Sequence, residues 1–207
     1  MIKVERIQCT QFGSNMYLIM HDQFPGEGCL IDAGCFSESN FLNLKIEKIN
    51  WIFITHSHYD HIYSLNEIVS HFPNSTVYCS KNASVGLVSS KTNLSFYHDS
   101  PIEYHNNNVI LVSEGDQIEV FKNELISVYK TPGHNIGSIS FKIRNFLFTG
   151  DSLIPNIPVV TKLKSGNKDQ AKQSISKIKN ILNPDDLICP GHMDICSIEY
   201  VNWNIYL

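Results

Sequence analysis

The strongest constraint on this chain is a run of seven consecutive residues, Thr55-His56-Ser57-His58-Tyr59-Asp60-His61. It places three imidazoles and a carboxylate in a segment too short to fold on itself. Imidazole nitrogens together with a carboxylate oxygen form a ligand set that suits divalent zinc. The run therefore predicts a metal site, and the rest of the chain must complete it.

A buried strand and an amphipathic helix are predicted on the two sides of this run. Residues 51–55 are a continuous apolar stretch of strand length, and apolar residues recur at helical spacing from residue 62 to residue 72. Asp60 would then lie near a helix start, where aspartate is a favoured cap without any metal. The histidines on either side favour the metal interpretation, because a capping aspartate does not need them.

The remaining apolar runs predict two sheets with helices between their strands. Runs at residues 2–7, 16–20 and 28–32 predict the first strands of an antiparallel sheet. Runs at 109–112, 117–121, 125–129, 139–143 and 145–148 predict a second sheet, and 76–80 and 186–189 are further strands. Helices are predicted at 37–49, 83–88, 167–182 and 198–206, and a loop at 89–108. Because no linker or repeat interrupts this pattern, we expect one domain covering residues 1–207.

Charge and hydropathy limit the kinds of partner. The chain has 43% apolar and 17% charged residues, as a soluble globular protein does. Sixteen basic and twenty acidic residues give a net charge of −4, which provides no overall positive field for a nucleic-acid backbone. We therefore expect a small-molecule substrate and no nucleic acid as partner. The oligomeric state is left open.

The termini and the cysteines predict a cytoplasmic protein. Residues 1–6 lack a signal-peptide pattern, and the apolar run at 16–20 is too short for a membrane span, so no membrane association is expected. The six cysteines show no Cys-x-x-Cys spacing, which favours buried reduced thiols over disulfides.

Three further motifs each place one metal-binding side chain beside a glycine at the end of a predicted strand. They are Thr131-Pro132-Gly133-His134, Phe148-Thr149-Gly150-Asp151 and Cys189-Pro190-Gly191-His192. Glycine allows the backbone to turn sharply and to approach a ligand closely. In contrast, His98 and His105 lie in the irregular segment and are predicted to be exposed and not to be ligands.

Taken in order, these motifs resemble those of the metallo-β-lactamase fold superfamily. Within it the chain is most similar to the glyoxalase II-like branch, which Leu30-Ile31-Asp32-Ala33-Gly34 and Gly137-Ser138-Ile139-Ser140-Phe141 also match. The resemblance covers nearly the whole chain. It implies an α+β fold, a four-layer αββα sandwich, with the site at one edge of the packed sheets.

The resemblance also implies how the ligands are shared. His56, His58 and His134 would hold one metal ion, Asp60, His61 and His192 the second, and Asp151 would bridge the two. The implied cofactor is two Zn²⁺ per chain, with iron or manganese as alternatives. Asp32 either shapes a turn or accepts a hydrogen bond from a ligand histidine, and the second role is slightly favoured.

The function implied is that of a zinc-dependent hydrolase with two metal ions. A hydroxide held between the ions would attack a small ester, thioester, lactone or phosphoester, and Asp60 would orient it. The alternative is a mononuclear-iron persulfide dioxygenase, an oxidoreductase that resembles this family and uses part of the same ligand set. Residues 154–158 lack the Gly-rich, Arg-containing loop common in glyoxalase II-like members, which weighs against a glutathione thioester as substrate.

Overall fold

A computed structural model describes residues 1–206 of the chain. Six strands form a first sheet in sequence order. They are β1 (Ile2–Cys9), β2 (Ser14–His21), β3 (Glu27–Ile31), β4 (Lys48–Phe53), β5 (Thr76–Ser80) and β6 (Val109–Val112). The first three strands pair antiparallel, as predicted, but β3 to β6 pair parallel because helices connect them.

A second sheet contains the other six strands in the order β12-β11-β10-β9-β8-β7. They are β7 (Gln117–Phe121), β8 (Glu124–Lys130), β9 (Ile139–Ile143), β10 (Phe146–Gly150), β11 (Leu187–Pro190) and β12 (Cys196–Ser197). The prediction that residues 109–112 belong to this sheet is wrong, since Val109–Val112 pairs with β5. The polar turn at residues 113–116 carries the chain from one sheet to the other.

Five α-helices cover the outer faces of the two sheets. They are α1 (Glu38–Asn43), α2 (Tyr59–Ile62), α3 (Leu65–His71), α4 (Lys81–Leu87) and α5 (Lys168–Ile181). The predicted helix at 37–49 ends early because Lys45 adopts a left-handed φ of 57° and β4 begins at Lys48. The predicted helix at 198–206 is instead two 3₁₀ turns, Ile198–Tyr200 and Trp203–Tyr206.

Three apolar layers hold the fold together. Between the sheets, side chains such as Phe53 and Phe141 pack edge to face at 5.1 Å between ring centroids. Outside the first sheet, Ile52 packs with apolar residues of α1, α3 and α4, and outside the second, Ile188 packs with α5. The layers therefore run helix, sheet, sheet, helix, which confirms the expected αββα sandwich.

One pair of cysteines departs from the predicted reduced state. The end of β1 and the turn after β3 bring Cys9 and Cys35 to 5.3 Å between Cα atoms, and they form a disulfide. The two residues are 26 positions apart, so spacing alone gave no signal. Within residues 1–206 the other four cysteines are free thiols: Cys29, Cys79, Cys189 and Cys196. Because disulfides are rare in the cytosol, the cytoplasmic location stays a prediction.

Among residues 1–206, no helix is both long and apolar enough to cross a lipid bilayer.

Candidate metal centre

All seven predicted ligands lie together at one edge of the two sheets. His56 and His58 follow β4, Asp60 and His61 belong to α2, and the others follow strands of the second sheet. Three sets of side chains each bring their donor atoms within 4.8 Å of one another. These sets are His56-His58-His134, Asp60-His61-His192 and His56-His61-Asp151. The first two sets correspond to the two groups of ligands that the resemblance implies.

Four of the five histidines have one ring nitrogen fixed by an oxygen atom. His134 Nδ1 lies 2.9 Å from the carbonyl oxygen of Val160, and His192 Nδ1 lies 3.0 Å from that of Gly13. His61 Nδ1 lies 2.8 Å from Asp32 Oδ2. An oxygen acceptor holds the proton on Nδ1 and leaves Nε2 free to bind a metal ion.

His56 follows the same pattern through a hydroxyl group. Its Nδ1 lies 3.1 Å from Thr55 Oγ1, and that hydroxyl donates to Asp32 Oδ2 at 2.8 Å. The Thr55 backbone N–H also donates to Asp32 Oδ1 at 2.7 Å. Asp32 therefore supports both His61 and His56, which agrees with the favoured expectation for this aspartate.

His58 enters the centre in the opposite orientation. Its Nδ1 faces His134 Nε2 at 2.8 Å, and its Nε2 lies 3.1 Å from Nδ2 of Asn135. Asn135 is itself held, because its Oδ1 accepts the N–H of Gly137 at 2.7 Å.

Three potential metal-ligand atoms in the centre are buried and have no hydrogen-bond partner in the described part of the chain. They are His56 Nε2, His61 Nε2 and Asp151 Oδ1. A buried polar atom without a partner is costly unless something else satisfies it. Their convergence, with ring nitrogens of His58 and His134 facing each other, fits a bound cation.

Asp60 does not cap a helix. The N-cap position of α2 is His58, and no side-chain cap hydrogen bond forms there within residues 1–206. Asp60 Oδ2 instead lies 3.3 Å from His192 Nε2 and 3.6 Å from His61 Nε2. The carboxylate therefore faces the centre.

The two groups of histidines differ in charge. Burial lowers the pKa of His56 and of His134, and lowers the pKa of His58 to about 4. Burial acts the same way on His61 and His192, but the carboxylates of Asp60 and Asp151 outweigh it and raise the pKa of both rings. In the metal-free protein, the first group is therefore neutral at pH 7, whereas the second keeps its protons to a higher pH than an ordinary imidazole does.

This difference predicts two kinds of pH dependence in metal binding. A metal ion at His61 and His192 must displace protons, so its affinity should rise with pH through the raised pKa values. The group of His56, His58 and His134 needs no such release at neutral pH, because the pKa values of its rings are lowered. Zinc titration calorimetry of metal-free protein, in buffers of different ionisation enthalpy, should show proton release on binding to one site only. Equal proton release at both sites would contradict this assignment.

Gly191 makes space for the centre. A Cβ atom at this position would lie 2.1 Å from Asp151 Oδ1 and 2.8 Å from His61 Cε1. The glycine is required by close packing, since its φ is not in the left-handed region.

The variant Gly191→Ala is expected to bind metal roughly 10–100-fold more weakly, because both neighbouring side chains must move. Competition with a chromophoric chelator measures this affinity. Gly115→Ala is the control for metal affinity alone, since a Cβ there meets nothing within 4 Å in the described structure and its φ of 85° strains only a turn outside the centre. If Gly191→Ala and Gly115→Ala bind metal equally well, the close packing described above is wrong.

Sequence reasoning missed several parts of the centre. The carbonyl groups of Val160 and Gly13 carry no sequence signal, because every residue has a carbonyl. Asn135 directly follows His134, and this adjacency was the only available sign. His98 and His105 are exposed, as predicted, and that they are not ligands stays a prediction. The ring of His98 packs against that of Tyr59 at 3.9 Å between centroids, tilted by 34°.

Comparison with known proteins agrees with this architecture. The model of the metallo-beta-lactamase superfamily matches residues 9–192. Hydroxyacylglutathione hydrolase from Salmonella typhi is 34% identical over 142 residues, which are 68% of this chain and 47% of the Salmonella protein. The chain thus spans about half the length of the curated relatives it matches, and these relatives support the glyoxalase II-like branch.

Solved structures share the fold. BLEG-1 B3 metallo-beta-lactamase gives a TM-score of 0.84 at 24% identity, covering 96% of this chain and 95% of that one. TTHA1623, crystallised in a di-iron-bound form, gives a TM-score of 0.78 at 19% identity, covering 95% and 96%. With the superfamily model matching most of its length, the chain belongs to the metallo-beta-lactamase superfamily.

Proposed function

We propose that this protein is a metal-dependent hydrolase that uses two divalent ions, preferably zinc, to cleave a small ester, thioester, lactone or phosphoester. The observation that carries this proposal is the set of fixed ring nitrogens and orphaned donor atoms that converge in the centre. His56, His58 and His134 would hold one ion, and Asp60, His61 and His192 the other. Asp151 would contact both.

The position of Asp151 supports a bridging role. Its Oδ1 lies 3.3 Å from His61 Nε2, and its Oδ2 lies 3.5 Å from His134 Nε2. Its two oxygens therefore face one histidine of each group. Although burial raises the pKa of Asp151, the rings of His61 and His134 hold it well below its usual range, so the carboxylate is charged.

Two ions held by these residues would supply an acidified water as nucleophile and would polarise the bond to be cleaved. No serine or cysteine nucleophile is then needed. Asp60 carries its charge toward the same space, because His61 and His192 lower the pKa of its carboxyl despite burial. We assign Asp60 the role of accepting a proton from the attacking water and orienting it.

The iron persulfide dioxygenase is the alternative to be tested against this function. The di-iron-bound form of TTHA1623 shows that a protein of this fold can be crystallised with iron. A mononuclear site needs only part of the ligand set, whereas Asp60 and His192 also face the centre here. This complete set favours the hydrolase.

A hydrolysis screen tests the proposal. Purified protein would be assayed on thioesters, lactones and phosphodiesters, with oxygen uptake on glutathione persulfide measured on the same sample. His134→Ala should lose the activity and His105→Ala should keep it, because His105 is exposed and, within residues 1–206, pairs with Glu103 alone. Oxygen uptake without hydrolysis of any substrate class would refute the hydrolase and support the dioxygenase.

A further inference from the structure

A pocket separate from the metal centre lies beside the turn that carries His134. It has a volume of about 350 Å³ and lies where the end of β5, the end of β8 and the start of α5 meet. Pro132, Ile136, Gly137 and Ser138 line it, so the same turn presents His134 to the metal centre and its neighbours to the pocket. None of the three ligand sets includes a residue that lines it.

Several polar side chains of this pocket can donate hydrogen bonds. Lys81 and Lys130 line it, and neither ammonium forms an ion pair within residues 1–206. The side-chain amide of Gln170 also lines it and has no hydrogen-bond partner in the described part of the chain. No carboxylate is found among the lining residues that the structure describes. In a chain with a net charge of −4, this pocket is locally positive.

A buried hydroxyl without a partner marks the same pocket. Ser138 is only 4% exposed, and its Oγ has no hydrogen-bond partner within the described residues. Its backbone groups are satisfied, since its N–H donates to Asn135 and its carbonyl accepts from Thr131. Within the described residues only the hydroxyl is therefore unpaired, although buried hydroxyls are normally hydrogen-bonded. Its oxygen is almost completely covered, so an incoming group can reach it only after a small shift of the pocket wall.

Two acidic side chains in the turn after Ser113 already accept hydrogen bonds. Glu114 accepts hydrogen bonds from Lys177 Nζ at 2.9 Å and from the backbone N–H of Lys130. Asp116 accepts the N–H of Ser113 at 2.7 Å. Neither carboxylate lines the pocket, so the charges of Lys81 and Lys130 remain available to an incoming group.

We propose that this pocket binds the anionic group, a carboxylate or a phosphate, of a small molecule, between Lys81 and Lys130 and against the wall that Ser138 forms. Ammonium groups with hydroxyl and amide donors are a suitable set for either anion. The pocket volume limits the bound part to a small group. The binding claim does not depend on the hydrolase function, because no metal ligand contributes to it.

Inorganic phosphate is the probe for the binding test. Metal-loaded protein would be titrated with phosphate at constant ionic strength, following the amide signals of Gly137 and Ser138 by NMR. Lys81→Gln/Lys130→Gln should weaken the binding that these signals report by about tenfold or more. The control Lys3→Gln/Lys48→Gln also removes two positive charges, from exposed positions elsewhere, and should leave phosphate binding at this pocket unchanged.

The variants distinguish binding in this pocket from binding at the metal ions. Phosphate that binds at the metal ions should still bind after both lysines are replaced. Ser138→Ala removes only the hydroxyl and should weaken binding less than the double variant does. Thermal unfolding of each variant shows that it is folded. Equal phosphate affinity in wild type and in Lys81→Gln/Lys130→Gln would overturn the proposal, as would the absence of any shift at Gly137 and Ser138.

A second arm identifies where the anionic group comes from. If the anionic group is part of the substrate, the double variant should raise KM for an ester that carries a free carboxylate. It should leave KM unchanged for the same ester with that carboxylate replaced by a neutral carboxamide. If it belongs to a separate molecule, both KM values should stay unchanged while phosphate alters turnover without competing with substrate. Either pattern supports the site. Failure to hydrolyse any ester, thioester, lactone or phosphoester would refute the proposed function while leaving the phosphate result intact.

Discussion

Asp60→Asn is expected to lower kcat by about 10²–10⁴-fold while leaving the fold intact. Asparagine preserves the shape of the side chain but removes the charge that faces His192 Nε2 at 3.3 Å. It also removes the base that would accept a proton from the attacking water. Because Asp60 caps no helix in the described structure, its loss should not unravel α2.

Steady-state kinetics and metal analysis on the same preparation check this expectation. The ion held by His61 and His192 should bind more weakly in Asp60→Asn, and the ion held by His56, His58 and His134 should be retained. Asp99→Asn, at an exposed loop position, is the matched control and should behave like wild type. Wild-type kcat in Asp60→Asn would remove Asp60 from the mechanism and favour a protein that binds metal without turnover.

Asp32→Ala is expected to have the largest effect on stability. Asp32 is buried and accepts hydrogen bonds from the Thr55 backbone N–H, the Thr55 hydroxyl and His61 Nδ1. Removing it leaves these donors buried without an acceptor and takes away one of the three carboxylates beside His61. Breaking a buried pair of this kind costs about 3–5 kcal/mol of unfolding free energy.

Urea unfolding of the metal-free protein measures this loss, and Asp32→Asn isolates its cause. Asp32 adopts a left-handed φ of 61°, which asparagine tolerates better than alanine. Asparagine can still accept from Thr55 but does not supply the charge beside His61. We therefore expect a smaller loss of stability in Asp32→Asn, with metal affinity still lowered by roughly 10–100-fold. Unchanged metal affinity in both variants would show that Asp32 only shapes the turn.

The ligands could be predicted from the sequence because their motifs are local. His56, His58, Asp60 and His61 lie within six residues, and each remaining ligand follows a glycine at a strand end. The sheet to which Val109–Val112 belongs could not be predicted this way. Its neighbours in sequence are β7 and β8, yet it pairs with β5 across a long irregular connection.

Contacts between segments distant in the sequence could not be predicted either. The Cys9–Cys35 disulfide depends on how β1 and the turn after β3 meet, and the pairing of His134 with the Val160 carbonyl depends on the path of an irregular loop. The Lys81–Lys130 pocket is of the same kind, because its residues come from α4, β8 and α5. Such contacts are set by tertiary packing and leave no local pattern. The single domain of residues 1–207 and the small-molecule partner stay predictions.

The most direct test of the central claim is the number of metal ions in the active protein. Metal-free protein would be titrated with zinc while hydrolysis of the best substrate from the screen and bound metal are measured in the same cuvette. We predict that activity reaches its maximum only at two ions per chain and is lost again when a chelator removes them. Full activity at one ion per chain or fewer would contradict a centre in which two ions act together.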